Sequence, residues 1–438
     1  MSDGTKEIIK FPALNRKKVE VNFSGGDLSS DGGALLVSSI DKKLQLCKRV
    51  SEVIPDSRDP RYITHTMENL VKQRVFGICL GYEDLNDHTN LRHDSVLQAA
   101  IGREAVLASS SSLCRFDNRG ERRAVFDIHK IMFSVFIGSF KSAPKRLILD
   151  LDSSDIPIYG DQEGKFYHGY YEEYCFLPLY VFCGEQMLVS YLRPSRNDGA
   201  MHALATIKLL VKGIRQSFPN VEIIIRGDCG FCRENIMNWC ERNGVKFIFG
   251  LAKNERLKKK LKSQMVEAEL QFKATNKKQR LFTEFNHSAL NWKREYRAIG
   301  KAEHTDKGAN PRLIITNITG GKPKTLYDEI YCQRGDMENH IKEQHLDLFG
   351  TRTSCQLWWA NQLRSLLSAL GYILLERMRA TALKKTKLAN ASLGSIRLKL
   401  LKIAAIVIKN TRRISIRLAS SCPYKKTFLW AAQQLAPQ

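Results

Sequence analysis

The stretch RLILDLDSSDIPIYG, residues 146–160, decides the fold, because a short apolar strand ends there in a cluster of acids, Asp150, Asp152 and Asp155. A second β-branched strand, VEIIIRGD at 221–228, also ends in an aspartate, Asp228. In open α/β sheets, ligands bind beyond the carboxyl ends of the strands. The two strand ends therefore predict one shared acidic site. Acids at strand ends can also simply cap turns, and we favour that interpretation for Asp155 alone.

The surrounding pattern predicts an α/β core with both sheet faces covered. Apolar residues recur at spacings of 3 and 4, which is typical of helices, while β-branched and aromatic runs are typical of strands. The predicted helices are 65–82, 126–140, 200–218 and 234–244, and the further strands are 172–184, 186–193 and 245–251. Residues 282–300 and 311–319 indicate an antiparallel β region, inserted before helices that begin near Asp336.

The candidate for a third acid is Glu338. It lies in a polar stripe spaced 3, 4, 4 and 3, made of Tyr331, Arg334, Glu338, Lys342 and His345. In a helix these side chains share one face. Such a stripe is often an exposed, salt-bridged surface, but the buried-looking helix that follows would hold this one against the core. Glu329 and Glu343 are weaker alternatives.

Carboxylates gathered in a chain of net charge +24 indicate a cation site. Few, hard oxygen ligands suit Mg²⁺. Two such ions about 4 Å apart can activate a nucleophile and stabilise the leaving oxygen of a phosphodiester. Cys229 and Cys232 form a C-x2-C pair, but no second pair at matching spacing predicts zinc.

The charge balance favours nucleic acid as the partner. Lys and Arg number 69 against 45 Asp and Glu, and residues 377–438 hold 14 Lys or Arg with no acid. A solvated helix face normally mixes signs, so this one-signed region suits contact with a phosphate backbone. A basic surface kept for solubility is the alternative.

The remaining composition favours a cytoplasmic protein. The start, MSDGTKEIIK, has no apolar core of a secretory signal, and no apolar run reaches the ~20 residues of a membrane span. The 11 cysteines are odd in number and scattered, which indicates reduced thiols. We expect no membrane association.

These residues resemble bacterial insertion-sequence transposases of the DDE type, specifically the 1380 group, which is related to the broader Y-x2-R-x3-E-x6-K transposases. The likeness covers roughly residues 25–378. Its segments are SSDGGALLV (29–37), GYEDLNDHTNLRHD (81–94), SSLCRFDNR (111–119), LDLDSSDIPIYGDQEGKFYHGYY (149–171) and RGDCGF (226–231).

The resemblance implies an RNase H-like core with a β-rich insertion before the last catalytic residue. It assigns Asp152 as the first catalytic and metal-binding acid, with Asp150 as the alternative, Asp228 as the second and Glu338 as the third. Tyr331 and Arg334 occupy their signature positions and would bind DNA phosphates. The final lysine of the signature is replaced by His345, and Lys342, one turn earlier, is a substitute.

The resemblance also implies the domain organisation. Residues 1–141 would form a mainly helical region that binds the DNA end, 142–251 with 330–378 the catalytic core, 252–329 the β-rich insertion, and 379–438 the basic C-terminal region. Arg115 and Arg119 are weak candidates for reading DNA. Trp292 is a weak candidate for receiving a flipped base, and His168 is interpreted as part of a hairpin, not as a metal ligand.

The activity implied is cutting and joining of DNA. Mg²⁺, or Mn²⁺ in its place, held by the three acids would activate water to cut at the element's end, and the freed 3′-hydroxyl would attack target DNA. The partners would be double-stranded inverted repeats and target DNA, bound as a dimer. The rival hypotheses are a non-catalytic DNA-binding relative and a nuclease without strand transfer.

Overall fold

The structure, a computed structural model, describes residues 8–290 and 292–436. The chain divides into two compact units. Unit 1 comprises residues 1–119 and 370–438, and unit 2 comprises residues 120–369. Among the described helices, none combines the length and the apolar character that crossing a membrane requires.

The strands are numbered in chain order. They are β1 Ile9–Leu14, β2 Lys17–Val21, β3 Asp27–Ser29, β4 Arg146–Ser153, β5 Ile156–Pro157, β6 Phe166–His168, β7 Glu173–Phe176, β8 Leu179–Cys183, β9 Gln186–Tyr191, β10 Glu222–Gly227, β11 Lys246–Gly250, β12 Gln279–His287, β13 Tyr296–Thr305, β14 Gly308–Ala309, β15 Arg312–Thr316, β16 Ala405–Asn410 and β17 Arg413–Leu418.

The α-helices follow the same order. They are α1 Ala34–Leu44, α2 Leu46–Ser51, α3 Met67–Leu80, α4 His88–Leu91, α5 Ser95–Ile101, α6 Ser110–Asp117, α7 Arg122–Gly138, α8 Ala203–Ser217, α9 Glu234–Arg242, α10 Glu255–Lys260, α11 Lys262–Thr275, α12 Pro323–Thr325, α13 Gly335–Lys342, α14 Trp358–Thr381, α15 Leu393–Ile396 and α16 Lys425–Leu435.

Unit 2 is built on one mixed sheet, which has nine strands within the described residues. Its order is β12-β13-β15-β11-β10-β4-β8-β9, with β14 paired to β13. Strands β4, β10 and β11 are parallel, whereas β8 and β9 continue antiparallel from β4 as a meander. This arrangement confirms the predicted α/β core of a meander followed by alternating helices and strands.

The core of unit 2 explains why these segments form strands and helices. Buried aliphatic and aromatic side chains of the central strands, such as Leu149, Ile225 and Phe247, pack against the apolar stripes of α8 and α9. Each stripe follows the 3.6-residue period of an amphipathic helix. Burial of this apolar area is the main force that fixes the strand order.

The insertion differs from the sequence prediction in its first part. Residues 252–329 were expected to be β-rich, but α10 and α11 precede the strands. The predicted antiparallel strands are present as β12, β13 and β15. They extend the core sheet, because β15 pairs antiparallel with β11.

The helical segment that carries Glu338 begins earlier than predicted. We expected it near Asp336, yet helical residues run from Pro323 to Asp347 and change type along the way. Leu326–Tyr331 and Glu343–Asp347 are π-helical and Cys332–Arg334 is 3₁₀. Such π turns are rare in proteins, and those that occur often lie at functional sites.

Unit 1 joins the two ends of the chain, which the predicted domains kept apart. Strand β16 pairs with β3 as well as with β17. The N–H groups of Gly32 and Gly33 donate to the carbonyls of Ile403 and Leu401 at 2.8 and 3.0 Å. The region predicted as 379–438 is therefore part of the same unit as the N-terminal segment, while α7, predicted within 1–141, belongs to unit 2.

We expect Gly33→Ala to loosen unit 1. A Cβ at Gly33 would lie 2.0 Å from the carbonyl oxygen of Leu400 and 2.5 Å from the Cα of Leu401, both backbone atoms that cannot easily move. Overpacking of this kind costs about 1–3 kcal/mol. The measurement is hydrogen exchange of residues 401–407, which should become faster.

The matched control is Gly138→Ala, because a Cβ there meets no atom within 4 Å. In this control variant, the hydrogen exchange of residues 401–407 should match that of the wild type. Equal exchange in the wild type and the Gly33 variant would contradict the tight joining of the two chain ends.

Candidate active site

The two aspartates lie side by side at the carboxyl ends of neighbouring parallel strands. Leu151 of β4 is in register with Gly227 of β10, so Asp152 and Asp228 each stand one residue beyond that pair. Adjacent strands are about 4.8 Å apart. The predicted shared acidic edge is therefore present in the structure.

Local hydrogen bonds orient both carboxylates. One oxygen of Asp152, Oδ1, accepts from the backbone N–H of Ser153 at 2.9 Å. Asp228 begins a 3₁₀ turn, and its Oδ1 accepts from the N–H of Gly230, also at 2.9 Å. In each aspartate these local bonds use Oδ1, so Oδ2 can contact groups outside the turn.

Arg334 connects the third acid to the first. Its guanidinium Nη2 donates to Glu338 Oε1 at 2.9 Å, and its Nη1 lies 3.4 Å from Asp152 Oδ2. The Glu338 side chain is 48% exposed, against 17% for Asp152. The site therefore opens to solvent on the side of the glutamate.

The electrostatics of Asp152 reflect a crowded acidic pocket. Burial raises the pKa of its carboxyl to about 6, the charges of Asp228 and Glu338 act in the same direction, and the Arg334 guanidinium opposes them. Neighbouring carboxylates that disfavour each other's ionisation are typical of sites that bind a cation.

The hydroxyl of Tyr331 lies close to the end of β11 and to the turn that begins at Asp228. An ideal Cβ placed on Gly250, the last residue of β11, would lie 2.7 Å from the Tyr331 hydroxyl and 2.9 Å from the backbone N of Cys229. The absence of a side chain at Gly250 is what admits the hydroxyl next to the turn of Asp228. Burial raises the pKa of Tyr331, so the hydroxyl keeps its proton and can donate it in a hydrogen bond.

Asp150, the alternative first acid, is committed to a different contact. It is 3% exposed, and its carboxylate forms a two-point ion pair with Arg226 of β10, through Nε and through Nη2 at 2.7 Å. The Nη1 of Arg226 donates to the carbonyl of Ile330. This geometry favours Asp152 over Asp150 as the acid that faces the site.

The two candidates for the final basic position differ. Lys342 is exposed at the end of α13. His345 instead accepts or donates a 2.8 Å hydrogen bond between its Nε2 and the hydroxyl of buried Tyr180, and burial lowers its pKa to about 4. A neutral imidazole lacks the positive charge expected of a phosphate contact.

The weaker candidates lie in other surroundings. Glu329 is exposed on the π-helical turn, and Trp292 packs at the edge of the unit 2 core with Tyr296, 6.2 Å between ring centroids. In unit 1, the Nη1 of Arg119 donates to the carbonyl of Pro55 at 3.2 Å, whereas Arg115 is exposed on α6. Glu343 lies 3.9 Å from His340 through its Oε2.

The donor chemistry fits a divalent cation, although Arg334 stands among the donors. Asp152, Asp228 and Glu338 offer only carboxylate oxygens, which Mg²⁺ prefers. In the described part of the chain, no group of three His, Cys, Asp or Glu is placed as a metal centre. The Arg334 guanidinium contacts both Asp152 and Glu338 in this structure.

Two arginines that support the site escaped the sequence reasoning. Arg226 ties β4, β10 and the π-helical turn together. Arg193 is fully buried, and its Nη2 donates to Ser153 Oγ at 2.8 Å, beside Asp152. The only signal for Arg226 was a charge inside the apolar strand IIIRG, and a position inside a strand does not reveal its partner.

Comparison with known proteins finds a matching family and similar solved structures. The family model described as "Transposase DDE domain group 1" matches residues 11–438. The cryo-EM structure of a piggyBac transposase synaptic complex with hairpin DNA is 12% identical, covers 84% of this chain and 79% of that chain, and has a TM-score of 0.42. No curated protein matches the chain.

We expect Asp152→Asn to stabilise unit 2 at pH 8 in the presence of a chelator. A carboxyl whose pKa is about 6 when folded and near 4 when unfolded opposes folding above pH 6, and this cost disappears as the pH falls towards 4. The gain in unfolding free energy should be about 1–3 kcal/mol at pH 8 and should shrink at pH 5. Denaturant titrations at both pH values measure it.

The control is Asp161→Asn, since the Asp161 side chain is 101% exposed. That change should leave the stability at both pH values within about 0.5 kcal/mol. A gain for Asp152→Asn that is the same at pH 5 and pH 8 would contradict the crowding of acids around this residue.

Proposed function

This chain belongs to the DDE transposase family, and we propose that it is a transposase of the 1380 group that cuts DNA at terminal inverted repeats and joins the freed 3′ ends to target DNA. The observation that supports the chemistry best is the pairing of Asp152 and Asp228 at adjacent strand ends. Glu338, linked to Asp152 through Arg334, supplies the third carboxylate.

The proposal includes an RNase H-like core. Its support is the sheet of unit 2, where the meander β4, β8 and β9 is followed by β10 and β11 parallel to β4. The segment between β11 and the helix that carries Glu338 supports the insertion that the family resemblance implies. We propose residues 252–329 as this insertion, with α10 and α11 as its helical part.

The guanidinium of Arg334 is proposed to release the carboxylates of Asp152 and Glu338 and to bind a DNA phosphate instead. Its Nη1 contact with Asp152 is long, at 3.4 Å, and Glu338 is half-exposed, so an incoming phosphate can compete for the guanidinium. Arg binds phosphate through two parallel N–H donors. The transfer frees Asp152 and Glu338 for a cation while the total charge of the pocket stays close to balanced.

Tyr331 and Lys342 complete the proposed phosphate contacts. The protonated Tyr331 hydroxyl, held at Gly250 beside Asp228, can donate to a phosphate oxygen next to the scissile bond. Lys342 stands one helical turn beyond Glu338 and is exposed, so it can reach a neighbouring phosphate. Such contacts fix the register of the DNA without reading its sequence.

Asp152, Asp228 and Glu338 are proposed to hold Mg²⁺, with Mn²⁺ as a substitute and two ions per site. When bound, these ions lower the pKa of attacking water and stabilise the leaving oxygen. The chain's own part is to place carboxylate oxygens on two rigid strand ends and one helix. The excess of 24 positive charges supplies long-range attraction for DNA, and a dimer on DNA would hold the two ends together.

The decisive test is cleavage of a duplex that contains the element's inverted-repeat end, in Mg²⁺ and in Mn²⁺. We expect Asp152→Asn, Asp228→Asn and Glu338→Gln each to reduce cleavage at least ~100-fold, because losing even a supporting contact of a metal ligand costs 10–100-fold. Binding of the same duplex should remain. Gel analysis of the nicked strand measures the rate.

Asp155→Asn is the matched control, since this aspartate follows β4 by two residues but lies beside Glu173 instead of the other acids. It should cut at nearly the wild-type rate. Cleavage that survives all three substitutions would refute the site. Binding without cleavage by the wild type would favour a non-catalytic relative, and cleavage without joining to a target plasmid would favour a nuclease.

A further inference from the structure

The β16–β17 hairpin of unit 1 has two chemically different faces. Strand pairing sets Ile406 opposite Arg417, Ile408 opposite Ser415 and Asn410 opposite Arg413. These residues alternate with the inward set, so they share the outer face. Ala405 and Val407 of the inner face are buried, whereas Ile406 and Ile408 are exposed.

The hairpin is fixed to the rest of unit 1 along its first strand. Lys409, on the inner face next to the turn, donates from Nζ to Ser95 Oγ at 2.6 Å, and Ser95 Oγ donates to Asp27 Oδ2 at 2.5 Å. Just before the hairpin, Lys402 forms a 2.7 Å ion pair with buried Asp31. The hairpin is therefore held in place on its inner face and is not a free loop.

The tip of the hairpin is also ordered. Asn410 Oδ1 accepts hydrogen bonds from the backbone N–H groups of Arg412 and Arg413, at 3.0 and 2.9 Å. These bonds close a two-residue connection, because Asn410 pairs directly with Arg413. A turn fixed in this way loses little conformational entropy when its side chains bind a partner.

The cations of residues 377–438 divide into two groups. Several are used inside unit 1: Arg377 pairs with Glu376, Arg397 donates to the carbonyl of Cys79, and Lys402 and Lys409 anchor the hairpin. By contrast, Arg412, Arg413 and Arg417 are exposed on the hairpin. The residues from 377 to 438 contain no acid that could neutralise them.

The outward cations of the hairpin are all arginines, and this identity carries information. The narrow minor groove of A·T tracts has an enhanced negative potential that attracts cationic side chains. Arginine is favoured over lysine there, because a guanidinium is more weakly hydrated than an ammonium and loses its water at lower cost. Lysines would serve equally well for contact with phosphates alone. The minor groove is about 6 Å wide and does not admit both strands of a hairpin, so only the side chains at the tip would enter it.

We propose that the β16–β17 hairpin inserts its tip, Arg412 and Arg413, into the DNA minor groove and favours A·T-rich sequence there. This inference rests on the proposed DNA-binding function and names a part of the chain that would read DNA. Arg417, four residues beyond Arg413 on the same face, contacts the phosphate backbone that borders the groove.

The test uses the full-length chain and three duplexes of about three helical turns, in a chelator so that catalysis plays no part. Their central tracts are A·T, G·C and inosine·C. Inosine lacks the amino group that guanine presents in the minor groove, yet keeps the major-groove pattern of guanine. We expect the A·T and inosine·C duplexes to bind alike, each about 10-fold tighter than G·C.

Two hairpin variants and one control distinguish the effect of positive charge on affinity from the effect of arginine insertion into the groove. Arg412→Ala with Arg413→Ala should reduce affinity for the A·T duplex at least ~10-fold, and the slope of log affinity against log salt should fall by about 2. Arg412→Lys with Arg413→Lys should keep the slope and lose the preference for A·T. Lys384→Ala with Lys385→Ala removes two exposed charges outside the hairpin and should keep the preference.

Arg412 and Arg413 are exposed, so their substitution should leave the fold intact, and an unchanged thermal midpoint checks this. Inosine·C binding that matches G·C, or a preference retained in the double lysine variant, would overturn the inference and leave the proposed function standing. Failure to bind any of the three duplexes would overturn both.

Discussion

The buried ion pair between Arg226 and Asp150 is the interaction on which the site depends. It joins β10 to β4, and the same guanidinium donates to the carbonyl of Ile330 in the helical segment that carries Tyr331 and Glu338. Burial raises the pKa of Asp150, and Arg226 acts against that rise. Removing one partner of such a pair leaves an uncompensated buried charge and typically costs 3–5 kcal/mol. The pair therefore holds β4, β10 and the helical segment, which are far apart in sequence, in fixed positions relative to one another.

Arg334 plays the complementary part at the surface of the site. It bridges Asp152 and Glu338 where solvent, and in our proposal DNA, can reach them. The inner arginine, Arg226, holds the strands and the helical segment together. The outer one, Arg334, is proposed to exchange partners, because its contact with Asp152 is 3.4 Å long and Glu338 is half-exposed.

Local patterns in the sequence were enough for much of the fold. Helix α3 lies within the helix predicted over residues 65–82 from its apolar spacing, and it ends at Gly81 in a left-handed cap. The strands that end in Asp152 and Asp228 were predicted from β-branched runs, and their shared edge followed from the rule for parallel sheets. The polar stripe and the apolar helix after it made Glu338 the candidate third acid, and the family resemblance assigned its role, because a polar helical stripe alone does not distinguish a site from a solvated face.

Long-range partners were beyond sequence reasoning. Nothing in the spacing of Asp150 and Asp152 tells which of them meets Arg226, since both point to the same side of β4. The pairing of β3 with β16 joins residues nearly 400 positions apart, so the two predicted terminal domains form one unit. The π-helical turns shift the start of the glutamate helix, and the burial of His345 beside Tyr180 has no signature in the local sequence.

The most direct measurement is a crystal structure of the chain soaked in Mn²⁺ with a short duplex, with the metal located by anomalous scattering. We expect a peak within about 2.5 Å of carboxylate oxygens from Asp152 and Asp228, with the Arg334 guanidinium moved onto a phosphate. A peak bound elsewhere, or none while the duplex is bound and Arg334 still bridges Asp152 and Glu338, would contradict it.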